Sequence, residues 1–414
     1  TLKDGVEFHN GAILTTEDVK FSLERQQESA KVGHLVSMIE SITIIDDLTF
    51  EIKVSSPTNT LISSLAHSST AIYNKAYVEE IEGSGESISD YPMGTGQYTF
   101  VEWVPGASFT LAKFDNYFDE DRAAQNDGLE FVVITEETAR TIALENGEID
   151  ILMAVPTTDA ERIRESEDLE LVEFTSTRFE YFAFNQTVEP FDNLLVRQAF
   201  NYAINKDDVL TAMVDGEGVV SNTYFSSAAI GYQEVETEYY YDPDKAIELL
   251  EEAGYGDGFS FTCYIAGDTR ERAATVIQAN LAAIGVTMNV EMMESATFYE
   301  KTGLGDHDAC LSGWIANAEP DNTYRPLFLS TNAGAGGNLA FYENEVVDNL
   351  INEAAYNPDE TVIAESQAEI LKILDEDAVW VPLNEWSGMV AMDADLQGFT
   401  ASSISNERFE SLHY

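Results

Sequence analysis

Apolar and polar positions follow different rhythms in the early and later parts of the chain. From Ile42 to Pro105 they read mainly as strands and turns. Val6-Glu7-Phe8 alternates apolar and charged residues before an Asn10-Gly11 turn, which predicts a hairpin end. Phe50, Ile52 and Val54 alternate with Glu51 and Lys53, the pattern of a half-buried strand. An early helix is predicted after Thr15, with Asp18 placed to complete a capping pair that satisfies orphan N–H groups. Val19, Ser22, Leu23 and Gln26 then fall on one face.

From about Gly128 strands and helices alternate. GLEFVVI predicts a strand, TEETARTIALENG a helix ended by Gly147, and IDILMAV another strand. A second such series follows the run RFEYFAFNQ. It holds a helix around Val196–Asn205, a helix from Asp242-Pro243 to Gly254, strand Phe259–Ile265, helix Arg270–Ala283 and strand Val286–Met292. Proline in the first turn and glycine just past the end are what helix termini favour. Short βα connections of this kind predict α/β lobes, and no fixed short repeat suggests a solenoid.

The length of 414 residues allows a large core and two or three domains. An apolar fraction of 44% with 11% aromatics is globular, and the longest apolar runs fall short of a membrane span. No basic start followed by an apolar block marks a signal peptide at Thr1. With 75 acidic against 21 basic residues the net charge is −54, which excludes nucleic acid as a partner because phosphate binding needs clustered Lys and Arg. The acids read as a solvated surface, compatible with a salty or protein-rich exterior that screens self-repulsion. No Asp-x-Asp-x-Asp-Gly loop predicts a metal site, and no cofactor is expected.

Catalysis finds no motif. The five histidines are scattered without HExxH, and no Gly-x-Ser-x-Gly elbow occurs. Cys263 and Cys310 lie in strand-like runs without CxxC spacing. Two small buried residues or a disulfide inside one lobe both fit them.

Several segments together resemble one family. LKDGVEFHNGAILTTEDVKFSLER at Leu2–Arg25, Gly94-Thr95-Gly96-Gln97-Tyr98, Arg197-Gln198-Ala199 with Tyr202-Ala203-Ile204, the turn from Asp375 to Leu383, and Leu396-Gln397-Gly398-Phe399 occur in order. They resemble the large extracytoplasmic solute-binding proteins of peptide-type and nickel-type ABC importers. His9 falls where that family's motif commonly has a histidine before a turn, a structural role.

The resemblance implies a two-lobed, type II periplasmic-binding-protein-like α/β fold with an additional mainly-β subdomain. Residues 1–112 would form that subdomain, its N-terminal part absent from this sequence. Residues 128–183 and 390–414 would form lobe I, and 184–389 lobe II, with the chain crossing near Tyr181–Asn185 and Glu385–Val390. It further implies that ligand binds between the lobes, which close around it by hinge motion. The expected partners are a small-molecule or peptide ligand and an ABC permease in the membrane. The protein itself would be a monomer, either periplasmic or lipid-anchored to the outer face of the cell membrane.

Binding chemistry is expected at Ser312–Asn322. Peptide-binding members carry Gly-Trp-x-x-Asp here, the aspartate accepting from a ligand ammonium. This chain has Asn317 at that position in a shortened loop, and asparagine accepts without neutralising. Glu319 or Asp321 would supply charge if the loop re-aims them. Trp314 is either a core aromatic or a pocket wall. Arg272 is either a helix-surface cation or the partner of a ligand carboxylate, with Arg270 and Arg325 as spares. Tyr181, Phe184 and Asn185 either touch ligand or pack the crossover. The leading function is capture of di- or oligopeptides. The alternatives are a non-peptide solute such as an oligosaccharide, opine or metal chelate, and a sensor without transport.

Overall fold

The computed structural model describes all residues except 30, 31, 59, 154, 235, 236, 238, 317, 318, 358, 405 and 406, and the side chain of His34. The chain divides into two compact units. Unit 1 comprises Thr1–Val172, Val390–Ala401 and Glu407–Tyr414, and unit 2 comprises Glu173–Met389 and Ser402–Asn406.

The strands in chain order are β1 (Ile39–Ile44), β2 (Phe50–Val54), β3 (Tyr98–Val104), β4 (Ser108–Lys113), β5 (Gly128–Val132), β6 (Ile151–Leu152) and β7 (Leu169–Phe184). They continue with β8 (Gly218–Val220), β9 (Ser260–Ile265), β10 (Thr287–Met292), β11 (Ala309–Ile315) and β12 (Trp380–Asp393).

In unit 1, the opening segment forms the expected small hairpin: Glu7 bridges Ile13, and Gly11 takes the positive φ its turn demands. Helix Thr16–Gln27 starts at a capping box between Thr15 and Asp18, and it buries Val19, Ser22, Leu23 and Gln26. Val19 and Leu23 meet Val36, Ile39 and Ile42, with Phe50 and Ile52 of the β1–β2 pair alongside. His9 joins this hairpin to the glycine loop. Its backbone N–H donates to Gly94 O, and its Nε2 lies 3.0 Å from Gly96 O. The loop leads into the antiparallel sheet β3–β4–β5.

Unit 2 is built on a mixed sheet in the order β10–β9–β11–β7–β12, with β8 also pairing with β12. β9 runs parallel to β10 and β11, while β11 and β7 are antiparallel. The first part of β7 and the last part of β12 belong to unit 1, where Ala391 pairs with Leu152 of β6. Phe182 and Phe184 join one hydrophobic cluster with Phe200, Phe261, Ile277 and Leu281. Phe179 and Tyr181 join the other, with Tyr224, Tyr324, Phe328 and Trp380. The period of two along β7 thus feeds both faces of the sheet, and helices cover each.

Helix Leu194–Ala203 anchors the first cluster and carries one buried cation. Arg197 donates to the carbonyl of Asp377 at 3.2 and 2.8 Å, to Phe191 O at 2.9 Å and to Asp192 O at 3.2 Å. The two cysteines settle on opposite faces. β9–β11 register sets Ala309 beside Cys263 and Cys310 beside Tyr264, so Cys263 enters the first cluster and Cys310 the second. Both are free thiols, and the disulfide alternative falls away.

Candidate functional site

The motif Gly313-Trp314 lies at the end of β11, opposite Glu180 and Phe179 of β7. Alternation sends the two residues to opposite faces. Trp314 packs, partly buried, against the second cluster, which leaves part of its ring uncovered. On the other face Gly313 adjoins the Glu180 side chain. A β-carbon at position 313 would lie 2.6 Å from the Glu180 carboxyl carbon.

Glu180 is 1% exposed and is held by two guanidiniums. Its Oε1 accepts from Arg178 Nε at 3.0 Å and Nη2 at 2.8 Å. Its Oε2 accepts from Arg270 Nε at 2.9 Å, with Arg270 Nη2 also at 2.9 Å. Burial opposes the Arg270 charge, but the adjacent Glu180 carboxylate outweighs it and holds the guanidinium above its ordinary pKa. The Arg178 guanidinium lies 3.7 Å from the centre of the Trp386 ring, a cation–π contact. Arg178 keeps 36% of its side chain exposed against 15% for Arg270, so solvent reaches the cluster through Arg178.

The remaining residues singled out by sequence are dispersed. Arg272, two positions along helix Asp268–Ala283 from Arg270, donates to Met213 O at 2.8 Å and lies 3.6 Å from Asp215. Tyr181 is in the core, stacked on Trp380 with ring centres 4.1 Å apart. Burial drives its hydroxyl pKa well up. Asn185 is buried and stitches two loops: it donates to Gly305 O and His307 O, and its Oδ1 accepts from Thr187. Asp321 receives both Nε and Nη2 of Arg325, whose Nη1 donates to Asn352. Phe184 is fully buried in the first cluster. Asn317 lies outside the described residues.

Arg178, Glu180 and Trp386 were not singled out from sequence. A signal was present: an arginine and a glutamate at i and i+2 of an apolar strand must share one face. A separate cavity of about 920 Å³ in unit 2 is bordered by Tyr202, Tyr239, Lys245, Lys372 and Asp375, and none of these belongs to the Glu180 cluster. Among the described residues no helix is long and apolar enough to cross a membrane.

A family model described as "Bacterial extracellular solute-binding proteins, family 5 Middle" matches residues 1–335. Heme-binding protein A of Haemophilus influenzae is 29% identical, the match covering 99% of this chain and 79% of that protein. Glutathione-binding protein GsiB of Salmonella typhimurium is 30% identical over 96% of this chain and 79% of its own. Among solved structures, the Helicobacter pylori periplasmic binding protein DppA in complex with peptide STSA superposes with a TM-score of 0.88. It is 26% identical, covering 100% of this chain and 85% of that one.

Proposed function

The chain belongs to the bacterial extracellular solute-binding proteins of family 5, and we propose that it captures di- or oligopeptides for delivery to a membrane permease. The family is non-enzymatic, works in ABC importers outside the cytoplasm, and has the two-lobed periplasmic-binding-protein fold. In this reading the protein acts as a monomer, free in the periplasm or tethered by lipid to the outer face of the cell membrane.

The observation that carries the peptide reading is the ledge formed by Arg178 on Trp386, next to Arg270. A flat guanidinium against an aromatic ring offers stacking to planar amides and donors to peptide carbonyls. The partly uncovered ring of Trp314 is assigned as an apolar wall, and Asn317 as an acceptor for the ligand's amino end. The peptide complex of the H. pylori relative supports the same ligand class. Heme, the ligand named for the Haemophilus influenzae relative, keeps a non-peptide solute as the second reading.

A thermal-shift screen with peptides, oligosaccharides and nickel–amino-acid complexes tests this. A ligand at a hundredfold excess over its Kd adds about 2.7 kcal/mol of stability by mass action. Stabilisation by peptides is the expected result. A shift with a sugar or a nickel complex and none with any peptide overturns the reading.

A further inference from the structure

The cluster of Arg178, Glu180 and Arg270 has an unusual economy of charge. Two guanidiniums converge on one carboxylate, and each presents its Nε–Nη2 edge to a different oxygen of Glu180. That edge is the part of arginine that matches a carboxylate with two parallel hydrogen bonds. Both edges are therefore already taken by an acid of the chain itself. Gly313 makes this possible, because a β-carbon there would lie 2.6 Å from the Glu180 carboxyl carbon, too close for both to stay in place. The cluster is not sealed, since Arg178 is more than a third exposed on its Trp386 ledge.

We propose that Glu180 is a specificity-determining residue: it occupies the guanidinium pair that a solute's terminal carboxylate would otherwise take. An arriving carboxylate meets a buried like charge and finds both bidentate edges filled. A peptide whose chain continues past Arg178 as neutral amides meets neither obstacle, and it can stack on the Arg178–Trp386 ledge. The site thereby selects longer or C-terminally blocked peptides over those ending there in a free carboxylate. This deepens the peptide reading and rests on it.

The test compares wild type with Glu180→Ala by calorimetry, using a length series of alanine peptides, each as free acid and as C-terminal amide. Wild type is expected to favour the amides. Glu180→Ala is expected to move the preference toward the free acids by about tenfold or more at the length that ends beside Arg178. In parallel, sodium acetate is added to both proteins in a thermal-shift assay, with sodium chloride as the ionic-strength control. Acetate should stabilise Glu180→Ala, by filling the vacated seat, and leave wild type unchanged.

An acid-to-amide ratio that is the same in both proteins at every length overturns the inference while leaving peptide capture standing. Absence of peptide binding by wild type overturns the peptide reading, and the acetate arm then decides on the guanidinium pair alone. Failure of acetate to stabilise the variant overturns the inference. Should circular dichroism show Glu180→Ala unfolded, Glu180→Ser, which also vacates the seat between the two guanidiniums, is held to the same expectations.

Discussion

The carboxyl carbon of Glu180 lies 2.6 Å from where a β-carbon at Gly313 would stand. Neither residue can change alone without cost. Gly313→Ala should destabilise the protein by about 1–3 kcal/mol, because the methyl group must push the carboxylate off its two arginines. Chemical denaturation measures this. In a Glu180→Ala background the same substitution should cost much less, since the obstructing atoms are gone. A double-mutant cycle with no coupling would show that the clash is relieved elsewhere.

Arg197 is 6% exposed, and its guanidinium donates to the backbone carbonyls of Phe191, Asp192 and Asp377. Burial depresses its pKa, with the Asp377 carboxylate the largest opposing influence. Replacing it with methionine keeps much of the volume but strips donors from three carbonyls. The expected loss is about 3 kcal/mol in urea unfolding, and lysine should not restore it because one ammonium cannot reproduce the fork. A loss below about 0.5 kcal/mol, the usual range for a surface position, would contradict this account.

His307 provides a pH-dependent term. It is 1% exposed, its Nε2 lies 2.9 Å from Leu339 O, and its Nδ1 has no partner among the described residues. Burial lowers its pKa, opposed by the Leu339 carbonyl and by Asp308 and Asp306. The unfolded state therefore binds the proton more readily. Its stabilising contribution is full above the ordinary histidine pKa of about 6.5 and is lost as pH falls toward the lowered folded value. His307→Gln should flatten the stability profile as pH falls below about 6.5, relative to wild type. Parallel profiles for the two proteins would rule out this residue as the source.

Much of the fold was legible because local signals and burial agree. Thr15 and Asp18 do form the capping pair, and the face of Val19, Ser22, Leu23 and Gln26 is the buried one. Asp242, Pro243 and Gly254 bound a helix whose cap oxygen accepts from Lys245 N. The site was harder to read, because its parts are neighbours only through sheet register and helix phase. Arg270 and Arg272 look equivalent in sequence, yet two positions on a helix turn them to different surroundings: one meets Glu180, the other Met213 and Asp215. Glu180 itself carries no motif. Its importance comes from a glycine 133 positions away in sequence that lies opposite it in the β7–β11 pair.

The two thiols give a further check on the sheet register. Cys263 and Cys310 are each 0% exposed and sit in adjacent strands, one residue out of step. Their side chains therefore leave opposite faces, and no rotamer brings the sulfurs within bonding distance. Burial raises both pKa values, that of Cys310 to about 12, so the reactive thiolate is scarce at neutral pH. Native protein should resist a thiol-specific reagent at both positions, while denatured protein should label at both. Mild oxidation of the folded protein should leave no Cys263–Cys310 linkage by mass spectrometry. Detection of that linkage in folded protein would contradict the observed register of β9 and β11, since the two strands would have to slip by one residue to bring both sulfurs to one face.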